Sequence, residues 1–297
     1  MSPQTPVAPA VSRSPSDREI DVHGLTHRGS VRASNQDNFL ICSLEKRIEV
    51  HATSLPPGSS VPGPAGRVAF IAMVADGVGG GQGGEQASRL ASEQVARFVG
   101  EAASCYYRTD SSEQDRFGPA LRDAALRAHS AVLEAADSDA KLQGMATTLT
   151  LWLGVWPASY LVQVGDSRCY LFRDGMLRQM STDQTMATEL VKQGVLTEAQ
   201  APSTRWSHVL SSALGGHSAE PVVTYFEQQW GDVGLLCSDG LTRHVSDARI
   251  AERLGSMTSS RQAAEALLQD ALDGGGSDNI TIVIGRTLPP ADAGADA

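Results

Sequence analysis

Apolar residues recur along this chain in two rhythms. Short runs of Val, Ile, Leu and aromatic residues, bounded by turn formers, predict strands over 20–26, 38–43, 47–51, 68–75, 146–155, 159–165, 169–173, 176–180, 222–227, 233–237 and 279–286. Asp174-Gly175 joins two of them as a tight hairpin. A 3.6-residue spacing predicts a helix over 85–99, with Ala87, Leu90, Ala91, Val95, Phe98 and Val99 on one stripe. A second covers 119–136, with Pro119 in its first turn and Leu121, Ala124, Ala125, Ala128, Val132 and Ala135 inward. A third, over 261–272, buries Ala264, Leu267, Leu268 and Ala271. Residues 181–216 read as irregular chain with short helical pieces. Strands outnumber helices, hairpins are frequent, and the helices come as a pair followed by a late single. That grouping predicts an α+β fold, antiparallel sheets covered by helices, over a doubly wound parallel sheet.

Composition refines this picture. The chain has 297 residues, with 24 Lys and Arg against 34 Asp and Glu, a net charge of −10. It lacks the positive field that nucleic-acid backbones and anionic membranes require. A hydrophobic content of 41% with 20% charged residues supports a packed core. Residues 1–17, rich in Pro, Ser and Ala, read as a disordered tail, and 287–297 as a second one. The single domain expected between them is 18–286, interrupted by a Pro/Gly-rich loop at 52–66. The longest apolar run, 68–75, is far short of the roughly 20 residues of a membrane span. The first sixteen residues lack a basic start and an apolar stretch, so they do not read as a secretory signal. Cys42, Cys105, Cys169 and Cys237 are scattered without metal-ligand spacing. They read as reduced thiols of a cytoplasmic protein.

Candidate chemistry sits at strand ends. Apolar runs lead into Asp76-Gly77, into Asp239-Gly240 and into Asp166 of Val164-Gly165-Asp166-Ser167-Arg168, while Asp278 and Asp37 immediately precede other runs. Any one of them alone reads as a turn-forming Asx residue. If they converge, they repel, and hard divalent cations such as Mg²⁺ or Mn²⁺, which take oxygen ligands, are the natural resolution. Other chemistries find no support. The glycine run 77–84 has no lysine and no Gly-Lys-Ser/Thr ending, the seven histidines show no zinc spacing, and there is no Gly-x-Ser-x-Gly elbow.

Six segments occur in order: Arg32-Ala33-Ser34-Asn35-Gln36-Asp37, Asp76-Gly77-Val78-Gly79-Gly80, Gly144-Met145-Ala146-Thr147-Thr148, Gly165-Asp166-Ser167-Arg168, Ser238-Asp239-Gly240-Leu241 and Ser277-Asp278-Asn279-Ile280-Thr281. The series, running from near Ile20 to near Arg286, resembles the metal-dependent Ser/Thr protein phosphatases (PPM, type 2C) in their bacterial form. The resemblance implies a four-layer α-β-β-α sandwich with two central antiparallel sheets and a binuclear Mn²⁺ or Mg²⁺ site at one end. It implies that Asp76 bridges two metals, that the Gly77 carbonyl binds one, and that Asp239 and Asp278 hold the other. Asp37 acts in the outer shell, Asp166 with Asp239 holds a third, looser metal, and Arg32 grips substrate phosphate. The implied catalytic residues are Arg32, Asp37 and Asp76, and the reaction is attack of a metal-bridging hydroxide on phosphoserine or phosphothreonine.

The charges suit these roles. Two divalent ions nearly balance Asp37, Asp76, Asp239 and Asp278, and metal-bridging water ionises near neutral pH. Arg32 offers a planar fork of donors to phosphate. The sequence departs from the family pattern at three places. Val78 stands where some members carry a histidine as proton donor, which leaves the general acid unassigned beyond a metal-bound water. Gln36 replaces an acidic residue, and Ala146 a glycine expected to be structural. Residues 181–216 correspond to the family's mobile flap, and Thr185, Thr188, Arg205, Trp206 and Ser207 are candidates to touch a protein substrate. The implied partners are phosphorylated Ser/Thr proteins and a counterpart Ser/Thr kinase, for a monomeric cytoplasmic enzyme. Two other readings stay open at this point: a catalytically inactive regulatory binding domain, and a phosphohydrolase of a small phosphorylated metabolite.

Overall fold

Two five-stranded antiparallel sheets lie face to face. The first has the order β1 (Ile20–His27), β12 (Ile280–Thr287), β11 (Val233–Cys237), β8 (Arg168–Arg173), β9 (Met176–Gln179). The second runs β10 (Val222–Glu227), β7 (Ala158–Val164), β6 (Leu149–Val155), β3 (Arg67–Ala75), β2 (Asn38–Glu45), and a two-residue ribbon pairs β4 (Gly77–Val78) with β5 (Ala146–Thr147). Helices α1 (Gly83–Glu101) and α2 (Ser111–Ser138) pack on the second sheet, while α4 (Asp239–Thr242), α5 (Asp247–Gly255) and α6 (Ser260–Asp273) pack on the first. The short α3 (Met186–Lys192) lies within the 181–216 segment. This computed structural model describes residues 13–45, 66–79, 82–101 and 111–289, with the side chains of 111–116 left aside. The strand expected at 47–51, nearly all of 52–66, Cys105 and most of both tails lie outside the described residues. Among the described residues, no helix is long and apolar enough to cross a membrane.

Strand alternation divides the interior into three layers of side chains. Along β3, Ala69, Ile71 and Met73 point to α1 and α2, while Phe70, Ala72 and Val74 point between the sheets. In β12, Ile280, Ile282 and Ile284 face the other helices and Val283 the middle layer. Because both faces of these strands are covered, their sequences are continuously apolar. The expected four-layer α-β-β-α sandwich is therefore the observed one.

Several elements differ from their expected form, each for a local reason. The helix expected to start at Pro119 starts at Ser111, so Pro119 lies inside it. Residues 111–116 are polar and carry no apolar stripe. The run 146–155 is two strands, because Thr148 leaves the ladder to bond both polar backbone groups of Asp76. Helices α4 and α5 join the expected late single helix. The start of α5 is marked by Ser246, whose Oγ accepts the Arg249 N–H at 3.3 Å. Residues 13–17, expected within the tail, are described, and Arg67 holds Asp17 and the Pro15 carbonyl. The Asp174-Gly175 turn has φ of 51° and 77°, as a two-residue hairpin turn requires.

Register aligns the chemistry-bearing ends. Asn38 pairs with Ala75, so Asp37 and Asp76 sit side by side. Cys237 pairs with Ile282, which sets Ser238-Asp239 against Ile280-Thr281, and Leu149 pairs with Val164, which sets Thr148 beside Gly165-Asp166. The framework depends on tight packing beneath this end. Leu235 is fully buried against α5 and α6. Leu235→Ala is expected to cost about 2–5 kcal/mol of unfolding free energy in a denaturant titration; a loss under about 1 kcal/mol would show that this layer collapses around the gap.

Candidate metal centre

The loop over 28–36 carries Arg32 and is stitched to the start of β12 by one side chain. Asn279, buried, donates its amide to the Arg28 and Ser34 carbonyls at 3.0 and 2.9 Å and accepts the Gln36 N–H at 2.9 Å. Arg32 can therefore reach Asp278 with two donors: Nε lies 2.8 Å from Oδ1 and Nη2 2.8 Å from Oδ2. Two glycines are dictated by close approach. A Cβ on Gly77 would lie 2.2 Å from the Gly84 carbonyl oxygen, and one on Gly240 would lie 1.9 Å from that of Asn279.

Asp76 is fixed through its backbone. Its N–H donates to Thr148 Oγ1 at 2.9 Å, and its carbonyl accepts the Thr148 N–H and the Thr147 hydroxyl, each at 2.9 Å. Asp37 is buried, with Oδ2 accepting hydroxyl donors from Ser238 at 2.7 Å and Thr281 at 2.8 Å. Its other oxygen, Oδ1, is buried without a hydrogen-bond partner. Such an orphaned acceptor costs free energy unless a water or ion meets it.

These groups open on one cavity of about 710 Å³, lined by Arg32, Gln36, Asp76, Gly77, Val78, Ala146, Asp166, Asp239, Arg243 and Asp278, with residues 208–213 and 216–218 as the facing wall. Asp37 lies just beneath this lining. Ala146 takes its place in β5 opposite Val78. An adjoining cavity of about 270 Å³ shares Asp166, Asp239 and Arg243 and is walled by Thr185, Thr188, Ser207 and His208. Arg205 and Trp206 line neither of these two cavities; the Arg205 guanidinium sits 4.5 Å from the Trp206 ring centroid.

Burial and mutual repulsion act on the acids. Burial, then Asp239 and Asp183, pushes the Asp166 carboxyl up to about 8. Burial pushes Asp37 up to about 6, against the pull of its two hydroxyl donors. Asp76 rises well above the ordinary carboxylate range, through burial and the charges of Asp37, Asp239, Asp166 and Asp278. Asp239 rises as well, through burial, partly relieved by Arg243. Arg243 contacts Asp239 Oδ2 and lies 3.1 Å from Asp278 Oδ2. In this arrangement, among the described residues, no three carboxylate, imidazole or thiolate groups close around one point as tightly as a bound ion requires.

The donor set nevertheless suits hard divalent cations. It consists of carboxylates with Gly77 beside them, includes the orphaned Asp37 oxygen, and leaves several acids poorly tolerant of their own charge. Sequence reading singled out the aspartates, Gly77 and Arg32. It missed Asn279, Ser238, Thr281 and Arg243 as structural partners of the site, and His208 and His217 as part of its wall. Ser238, Asn279 and Thr281 stand inside the quoted motif segments without a role assigned to them there, and Arg243 carried a separate signal, its position four residues after Asp239 on a helical turn.

The family model of protein phosphatase 2C matches residues 63–274. The serine/threonine protein phosphatase PstP of Mycobacterium tuberculosis is 39% identical over 217 residues, covering 73% of this chain and 40% of that protein; the chain thus spans about two-fifths of that relative's length. The serine/threonine phosphatase stp of Listeria monocytogenes is 31% identical over 215 residues, 72% of this chain and 83% of that one. The solved catalytic domain of PstP in complex with two manganese ions superposes with a TM-score of 0.70 at 32% identity, covering 91% of this chain and 98% of that one.

Raised carboxyl pKa values make the metal-free protein pH-sensitive in a stated direction. A carboxyl whose folded pKa lies above its unfolded value favours folding while protonated, and this stability is lost as pH rises through the folded pKa. In chelator, the melting temperature is expected to fall as pH rises through about 6, for Asp37, and about 8, for Asp166. Asp270, held below the ordinary range by Arg253 and Arg249, acts only at more acidic pH. A melting temperature that is flat or rising across that window would contradict the crowding of the acids.

Proposed function

The chain belongs to the protein phosphatase 2C family, and from that membership we propose that it is a protein serine/threonine phosphatase that hydrolyses phosphoserine and phosphothreonine with two divalent cations, Mn²⁺ or Mg²⁺. The supporting observation is the meeting of Asp76, Asp166, Asp239 and Asp278 in one cavity, above an Asp37 oxygen that has no partner. Asp76, the Gly77 carbonyl, Asp239 and Asp278 would hold the two ions, Asp37 would serve in the outer shell, and Asp166 with Asp239 would hold a third, looser one. Ions bound there supply Lewis acidity toward phosphate oxygens and make water acidic enough to act as a nucleophile near neutral pH.

The chain's own residues do the rest. Arg32 presents a planar fork that suits two phosphate oxygens and keeps its charge at any working pH. Ser238 and Thr281 hold Asp37 Oδ2 still, leaving Oδ1 as the buried acceptor that orients water or takes up its proton. The threonine bonds to the Asp76 backbone fix the carboxylate's origin, so little reorganisation is needed when substrate arrives. Val78, at the cavity rim, has no proton to give, so it is not the donor to the leaving seryl or threonyl oxygen. On the same reading the partners are phosphorylated proteins and the Ser/Thr kinase that modifies them, and the phosphatase works as a cytoplasmic monomer.

Asp239→Asn is expected to lower turnover of an aryl phosphate and of a phosphoseryl peptide on the order of a hundredfold or more, with an unchanged circular dichroism spectrum. Chelation should silence the wild-type protein and Mn²⁺ should restore it. Unchanged turnover in the variant would overturn the assignment of Asp239. A preference for phosphorylated metabolites over phosphopeptides would overturn the substrate class.

A further inference from the structure

Arg243 projects from the helical turn that follows Asp239, and its guanidinium rests on the very carboxylates assigned above to the ions. Nη2 bonds Asp239 Oδ2, and Nη1 lies 3.1 Å from Asp278 Oδ2. Arg32 grips Asp278 from the other side, so one carboxylate is shared by two arginines. The two arginines are not equivalent. Arg32 stands on a loop with its side chain 52% exposed, whereas Arg243 caps the C-terminal end of α4 with its side chain 28% exposed. Of the two, only Arg243 lines both the main cavity and the adjoining one. A guanidinium is a fixed monovalent cation with directional donors, and it addresses the same oxygen lone pairs that a divalent ion would take.

We propose that Arg243 is an exchangeable counter-cation of the metal centre: it neutralises Asp239 and Asp278 while no ion is bound, yields them when an ion enters, and then offers its guanidinium to phosphate from the wall between the two cavities. The inference rests on the metal-centre reading and adds a cost and a gain to it. The cost is metal affinity, because an entering ion must first displace a bonded guanidinium and then remain near its charge. The gain is anion recognition, because the displaced side chain stays tethered to α4 beside the cavity, where it is a second donor fork in addition to Arg32.

The test uses the full chain freed of metal by chelation, with Mn²⁺ binding followed by calorimetry in the absence of substrate. Arg243→Gln should bind Mn²⁺ about tenfold more tightly than wild type. Without metal, its melting temperature should be lower than that of wild type, and it should rise further on adding Mn²⁺. In the Mn²⁺-loaded variant, inorganic phosphate should inhibit several-fold more weakly, and KM for an aryl phosphate should change more than kcat. Arg243→Lys keeps the charge but loses the planar fork. It should fall between the two in Mn²⁺ affinity, and it serves as the test if the glutamine variant does not fold. Equal Mn²⁺ affinity in folded wild type and variant overturns the exchange. Unchanged inhibition by phosphate overturns the anion-binding half. Absence of Mn²⁺ binding in wild type overturns the metal-centre reading, and the exchange falls with it.

Discussion

Repulsion among buried carboxylates is the constraint around which this protein is arranged. Asp37, Asp76, Asp166 and Asp239 are drawn together from distant parts of the chain, and each is pushed toward its neutral form by burial and by its neighbours. An isolated peptide would not hold such groups together. The sandwich does so because each acid is attached at or next to the end of a strand or a helical turn whose other residues are locked in the core. Val74 and Ala75 precede Asp76, Leu236 and Cys237 precede Ser238-Asp239, and Ile280 and Ile282 follow Asp278; all are buried. The apolar layers thus provide the force that overcomes the electrostatic strain at one end.

That strain is met with local devices rather than with general solvation. Hydroxyl groups of Ser238 and Thr281 stabilise one oxygen of Asp37, and guanidinium groups stabilise Asp239 and Asp278. Arginine suits this task better than lysine, because its planar fork bridges two carboxylates at once and it stays charged when desolvated. Arg168 likewise holds Asp183 at 2.7 Å, although that acid still adds to the repulsion felt by Asp166. Even so, four acids and two arginines line the main cavity, with Asp37 buried nearby, and the raised carboxyl pKa values show that the arginines leave the repulsion only partly compensated.

How much of this was legible in the sequence follows from the range of the interactions. The strands were readable because burial on both faces makes them continuously apolar, as in 68–75 and 233–237. The aspartates were readable because strand ends with Asp-Gly stand out, and their order matched a family pattern. The first two turns of α2 were not readable, since residues 111–116 carry no apolar period. Nor was the break at Thr148, since it is caused by Asp76, seventy-two positions away along the chain. Asn279 shows the same limit. Nothing near it in sequence announces that its amide will fasten a loop more than two hundred positions earlier. Arg243 was visible only as half of an ordinary helical ion pair, and its contact with Asp278 required the tertiary structure.

The two walls of the cavity are built differently, and they meet at several residues, Gly165 and Thr147 among them. The floor consists of strand ends backed by the core. The opposite wall comes from the 181–216 segment and the residues just after it, where α3 is capped by Thr185 and much of the rest is turns. Thr147 joins them. It exchanges backbone hydrogen bonds with Leu214, each at 2.9 Å, while its hydroxyl donates to the Asp76 carbonyl. The next residue, Gly215, is pinned from the helical layer by His129, whose Nδ1 accepts its N–H at 3.0 Å, and Val132 leaves no room for a side chain there. A displacement of the 208–218 wall large enough to move Leu214 must therefore act on the residue that positions Asp76. The wall on one side and the carboxylate backbone on the other are joined through that threonine by a path of adjacent hydrogen bonds.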